Sequence, residues 1–121
     1  MKDFRSLLVW QKAHDLTLAV YKSTKNFPGD ERFGLASQMR RSSSSVPTNI
    51  ADGCGRNSNP DLNRFLHIAV GSTSELDYQL ILASDLGFLA SDLRSELKPQ
   101  VVEVQKMLGS LIRKVNARLK P

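Results

Sequence analysis

PDLNRFLHIAVGSTSELDYQLILASDLG, residues 60–87, is the stretch on which the fold turns. Leu62, Phe65, Leu66, Ala69, Val70, Thr73, Leu76, Leu80 and Ala83 recur at steps of three and four, the spacing of one face of an α-helix. Ser58-Asn59-Pro60-Asp61 ahead of them supplies a cap, a proline near the first helical position and an acid in the first turn. Gly87 closes the segment, so a helix is predicted over 60–86. That is about 40 Å of helix at 1.5 Å per residue. Tyr78, Leu80, Ile81, Leu82 and Ala83 leave its second half apolar nearly all round, and a helix of that kind is covered on more than one side.

Three further helices are read outward from this one. Upstream, residues 6–26 carry Val9, Ala13, Leu16, Val20 and Thr24 on one stripe, beside a mixed stripe of Trp10, His14, Thr17 and Tyr21. Phe27-Pro28-Gly29-Asp30 stops that helix. A second is predicted over 31–54, capped by Asp30, buried through Phe33, Met39, Val46 and Ile50, and ended by the glycines of Asp52-Gly53-Cys54-Gly55. Pro47 inside it removes one donor and frees the Ser43 carbonyl, which predicts a kink or a break. Ser42 to Ser45 and Asn49 are at hand to satisfy loosened backbone groups. Downstream, residues 92–118 show Leu93, Leu97, Val101, Val104, Leu108, Leu111 and Val115 in a near-heptad seam that stays in phase across Pro99, predicting one bent helix. Short turns between long helices make sequence neighbours antiparallel. The expectation is all-α: an up-down-up-down four-helix bundle, with residues 1–121 as one domain.

Charge and cysteine content narrow the setting. The net charge is +5, and residues 1–103 hold as many acids as bases. The excess is Lys106, Arg113, Lys114, Arg118 and Lys120 in the last helix, a run that suits a polyanion and equally complements a helix C-terminus. Cys54 is the single cysteine, so no intrachain disulfide forms and a cytoplasmic setting is expected. Neither a signal peptide nor an apolar run of membrane-spanning length is readable, so no membrane partner is expected.

Two stretches carry a resemblance: VWQKAHDL, VYKSTKNFP and ERFGLASQMRRSS near the N-terminus, and SVPTNIADGCGR with RFLHIAVGSTSEL in the middle, joined by DLGFL. Over roughly residues 4–89 the chain resembles the 23S rRNA intervening-sequence proteins, also called four-helix bundle proteins. The resemblance implies a left-handed bundle, a homopentameric ring and no established enzymatic activity. Some members are encoded within insertions in 23S rRNA genes, and a related protein accompanies the reverse transcriptase of diversity-generating retroelements. The chain departs from the family pattern at Ser42 to Ser45, usually richer in alanine, at Val46, usually isoleucine, and at Asp52, usually glutamate.

Catalytic chemistry is not legible. A di-iron bundle needs Glu-x-x-His, and the residues three after the helical glutamates are Gly34, Tyr78, Pro99 and Lys106. His14 and His67 lack a carboxylate at ligand spacing, so no metal or other cofactor is expected. Cys54 lacks the base of an activated nucleophile and reads as a small packed residue. Gly53-x-Gly55 lacks the lysine and spacing of a phosphate loop and reads as a helix end. The distinctive cluster is Arg40, Arg41, Asn49, Asp52, Arg56 and Arg64 around the second turn. Either these arginines pair with Asp52, Asp61 or a neighbouring subunit, or they present forks to phosphate. Trp10, Tyr21, Phe65 and Tyr78 are stacking platforms for bases or, equally, ordinary packing residues. The leading reading is a non-enzymatic, self-associating scaffold that binds RNA or DNA through Arg40, Arg41, Arg56, Arg113, Lys114, Arg118 and Lys120. The alternative is an adaptor whose ring recruits an acidic or nucleic-acid-processing protein.

Overall fold

The computed structural model describes residues 3–119. Four helices account for most of them: α1 (Leu8–Thr24), α2 (Leu35–Cys54), α3 (Asn59–Asp85) and α4 (Ser91–Leu119). Among the described residues there is no strand.

The predicted helix starts and stops are met for α3. The Ser58 hydroxyl accepts the Asp61 N–H at 3.3 Å, and Pro60 sits in the first turn, where a missing donor costs nothing. At the other end Gly87 adopts φ 77°, the Gly87 N–H donates to the Ser84 carbonyl and the Phe88 N–H to the Ala83 carbonyl. This is the left-handed glycine cap that ties off the last carbonyls of a helix.

α2 departs from expectation at its start. It begins at Leu35, not at 31, and Asp30 does not cap it. Glu31 does so instead: its Oε2 accepts the Leu35 N–H at 2.9 Å. A Cβ at Gly34 would come within 2.6 Å of that carboxylate oxygen, so a larger residue there would push the Glu31 side chain off its cap. The late start leaves Phe33 outside the helix, and its side chain is 88% exposed where the core was expected. The helix then runs unbroken through Pro47. The carbonyl of Ser43 that the proline deprives of a donor is met from α1, where Thr17 Oγ1 lies 3.0 Å away. Asn49, expected to satisfy backbone groups near Pro47, donates to the Ser45 carbonyl at 2.8 Å and to its hydroxyl at 2.9 Å. α4 likewise continues through Pro99.

Contacts between named residues fix the directions of the helices. Thr17 meets Ser43 and Thr24 meets Arg40, so α2 retreats as α1 advances. Ser45 bonds Ser72 at 2.8 Å, whereas Gly53 abuts Phe65, so α3 opposes α2. Lys98 reaches Asp77 at 2.6 Å across the Gly87 turn, and Lys12 reaches Glu103 at 3.5 Å, closing α4 against α1. Phe27 and Phe88, from the α1–α2 and α3–α4 turns, lie 5.9 Å apart. Both turns therefore occupy one end of the bundle, and the α2–α3 turn occupies the other.

The core is built from the predicted stripes. Ala13, Leu16 and Val20 of α1 are fully buried with Met39, Val46 and Ile50 of α2, Leu66, Ala69 and Leu76 of α3, and Val101, Leu108 and Val115 of α4. Burying one such leucine or isoleucine contributes about 1.5–3 kcal/mol. An exposed ion pair such as Lys12–Glu103 contributes about 0–1 kcal/mol, so packing holds the bundle. Gly53 is part of that packing and not a helix cap: a Cβ there would lie 3.0 Å from Phe65 Cβ and 3.3 Å from the Leu62 carbonyl oxygen.

Candidate nucleic-acid interface

The arginines that sequence placed around one turn are divided between the two ends. An unbroken α2 puts Arg40 and Arg56 about 24 Å apart at 1.5 Å per residue. The sequence grouped these residues around one turn, and the continuous helix instead keeps Arg40 and Arg41 away from Arg56 and Arg64.

At the end carrying the α2–α3 turn, Arg56 and Arg64 both lean on the ring of Phe65, with guanidinium carbons 4.4 and 5.0 Å from its centroid. Stacking of this kind holds a guanidinium plane while leaving its edge for a ligand. Asp52 pairs with Arg56 through one contact of 3.0 Å, on the exposed surface, so it restrains that arginine weakly. Asp61 takes no ion pair among the described residues. Arg118 joins Arg56, Asn57, Ser58, Asn59 and Leu62 around a cleft of about 220 Å³. Arg113 and Lys114 are exposed on the same final turns of α4. Among the described residues none of these three α4 cations lies within ion-pair distance of a carboxylate. Lys120 lies outside the described residues.

At the opposite end Arg40 is half-buried and committed to the fold. Its Nε donates to Thr24 Oγ1 at 2.8 Å and its terminal nitrogen to the Tyr21 carbonyl at 3.2 Å, with the guanidinium 5.0 Å from the Tyr21 ring centroid. A cation at the last turn of α1 complements the negative end of that helix. Arg41 beside it is exposed. The two arginines share a groove of about 460 Å³ with Tyr21, Arg32 and Phe33, floored by Ser37 and Ser44. No carboxylate lines it. Sequence reasoning missed Arg32 and Phe33, because the apolar ring was counted with the core of α2. The legible signal was the Arg32-Phe33-Gly34 run itself, a cation and a ring next to a glycine.

Of the other proposed platforms, Trp10 and Phe65 are already covered and Tyr78 is not. Trp10 is half-buried between Phe4 and His14, at 5.1 and 5.2 Å. Phe65 is buried under its two arginines, while Tyr78 is 61% exposed on the outer face of α3. Cys54 is buried at the end of α2, and desolvation pushes its thiol pKa up, away from the thiolate a nucleophile needs. Among the described residues no three His, Cys, Asp or Glu side chains converge as metal ligands. No helix among them is long and apolar enough to cross a membrane.

Fold and site together define a class: an antiparallel four-helix bundle with an apolar interior, whose chemically distinctive groups are cations and rings gathered at its two ends. The chain belongs to the 23S rRNA-intervening sequence protein family, whose model matches residues 5–110. The match stops short of Arg113, Lys114 and Arg118. A solved structure from Bacteroides thetaiotaomicron, a protein of unknown function from the S23 ribosomal protein family, is similar at a TM-score of 0.78 and 24% identity, over 87% of this chain and 98% of its own. No curated protein matches by sequence.

Proposed function

We propose that the protein is a non-enzymatic scaffold, assembled from copies of itself, that holds RNA or DNA by its phosphates. The observation that carries this reading is the set of exposed cations on the last turns of α4, Arg113, Lys114 and Arg118, none of them within ion-pair distance of a carboxylate among the described residues, with Arg118 sharing a cleft with Arg56. Cations held near one another without carboxylates bind a phosphate backbone by releasing its counterions, and the affinity then falls steeply with salt. The membership of a family tied by name to an rRNA intervening sequence supports a nucleic-acid ligand.

A titration of rRNA fragments at increasing salt tests the reading. Each phosphate contact contributes about −0.7 to −0.9 to the slope of log affinity on log salt. Replacing Arg113, Lys114 and Arg118 together by Gln is therefore expected to flatten that slope by about 2. Absence of binding even at low salt would remove the proposal. In that event an acidic protein partner becomes the better reading, and its capture would survive nuclease treatment.

Self-association is supported by the outer face of α3, where Ile68, Tyr78 and Ile81 are 45%, 61% and 39% exposed. No helix of the same chain covers them, so the apolar surplus that sequence assigned to a second contact faces outward. A ring of five follows the family resemblance. Tyr78→Arg with Ile81→Arg is expected to yield monomers in sedimentation with helix content retained. Unchanged assembly would move the interface elsewhere.

A further inference from the structure

We propose that the groove between the C-terminal turn of α1 and the start of α2 receives unpaired nucleotides of a single-stranded polynucleotide, with bases on Phe33 and Tyr21 and phosphates at Arg32 and Arg41. The inference rests on the reading that the protein binds nucleic acid, and it adds a second place and a different mode. Phe33 is 88% exposed, an unusual state for so large an apolar ring, and Tyr21 across the groove is 43% exposed. Cations alternate with these rings: Arg32 stands 5.7 Å from the Phe33 centroid and Arg40 stands 5.0 Å from that of Tyr21. Arg40 is anchored by its bonds to Thr24 and to the Tyr21 carbonyl, so the tyrosine wall is held in place before any ligand arrives. Arg32 and Arg41 are exposed and have no carboxylate within ion-pair distance among the described residues.

The mixture of groups selects the ligand. A duplex presents phosphates but keeps its base faces stacked, so it would engage the arginines and leave Phe33 in water. Inorganic phosphate uses neither ring. An acidic peptide satisfies guanidiniums but offers the rings no flat partner. Unstacked bases with a phosphate at each step satisfy both sets together, and stacking on a ring is tolerant of sequence. Ser37 and Ser44 on the floor add hydroxyls for base edges or sugar, whose partners vary along a strand.

The test uses the full-length chain and fluorescein-labelled oligouridylate, oligothymidylate and a duplex of equal length, read by anisotropy at low salt. Phe33→Ala is expected to weaken both single strands about tenfold while leaving the duplex unchanged. Phe33→Tyr, which keeps a ring, is expected to bind as the wild type does. Arg32→Gln with Arg41→Gln is expected to weaken single strands and reduce their salt slope by about 1.4. These side chains are exposed, so helix content by circular dichroism is expected to stay constant. If Phe33→Ala binds single strands as tightly as the wild type, or loses duplex and single strand alike, the groove assignment is overturned while phosphate binding at the α2–α3 end stands. Displacement of the oligonucleotides from the groove by polyglutamate at equal charge overturns it in favour of an acidic protein. If no nucleic acid binds to any variant or to the wild type, both readings fall together.

Discussion

Gly53→Val is expected to destabilise the bundle by about 3 kcal/mol, the upper part of the usual range for forcing bulk into a packed core. The Cβ of any residue there would stand 3.0 Å from Phe65 Cβ, 3.1 Å from Leu62 Cδ1 and 3.3 Å from a backbone oxygen, so side-chain motion alone cannot relieve the clash. Gly53→Ala is the informative companion. Its single methyl gains about 1 kcal/mol of helix propensity against a smaller version of the same collision, so the two effects roughly cancel. For a chain of this size the valine variant should melt about 10 °C lower, and urea unfolding should agree. The effect reaches function, because the α2–α3 crossing at Gly53 is what sets Phe65 under Arg56 and Arg64. A valine variant as stable as the wild type would mean that the two helices part here at no cost.

Thr17→Val is expected to cost about 1–3 kcal/mol although it preserves volume, since it leaves the Ser43 carbonyl without a donor inside the bundle. The Thr17 hydroxyl also lies 2.9 Å from the Ala13 carbonyl, but that group has its own helical N–H, whereas Ser43 lost its donor to Pro47. The proof is a double-mutant cycle with Pro47→Ala. Alanine restores the N–H that points at Ser43, so Thr17→Val should become cheaper by about 1–2 kcal/mol in that background. By itself Pro47→Ala sets the propensity gain of up to about 3 kcal/mol against the lost packing of a buried ring. Additive effects of the two substitutions would show that the hydroxyl does not serve that carbonyl.

The candidate site was less legible than the fold for a reason visible in Phe33. Its apolar character reads as burial, yet at six residues before Met39 it falls about 120° off the stripe of Met39, Val46 and Ile50 even in a helix that starts at residue 31. Where α2 starts is decided by a carboxylate folding back onto the Leu35 N–H and by a glycine that leaves room for it. Those are a few local contacts, each worth about 1 kcal/mol, and periodicity does not report them. Arg40 shows the converse case. Sequence counted it among ligand-facing cations, and it is tied into the end of α1 sixteen residues earlier in the chain.

By itself the sequence determined the four helices, their apolar stripes, the glycine that caps α3 and the concentration of positive charge in the last turns. These depend on interactions between residues three or four apart, or on the backbone preferences of single residues, and they are written locally. Tertiary structure alone decided that α2 stays whole through Pro47, because the missing bond is replaced from α1, twenty-six residues away. It also decided that Gly53 is a point of close approach, and that the arginines form two sites in place of one. A free carbonyl, a helix crossing and a groove each require partners brought together by the packing of the bundle. The feature on which the proposed binding of single strands depends, an aromatic ring left in water between arginines, exists only once the other large apolar residues have found their places.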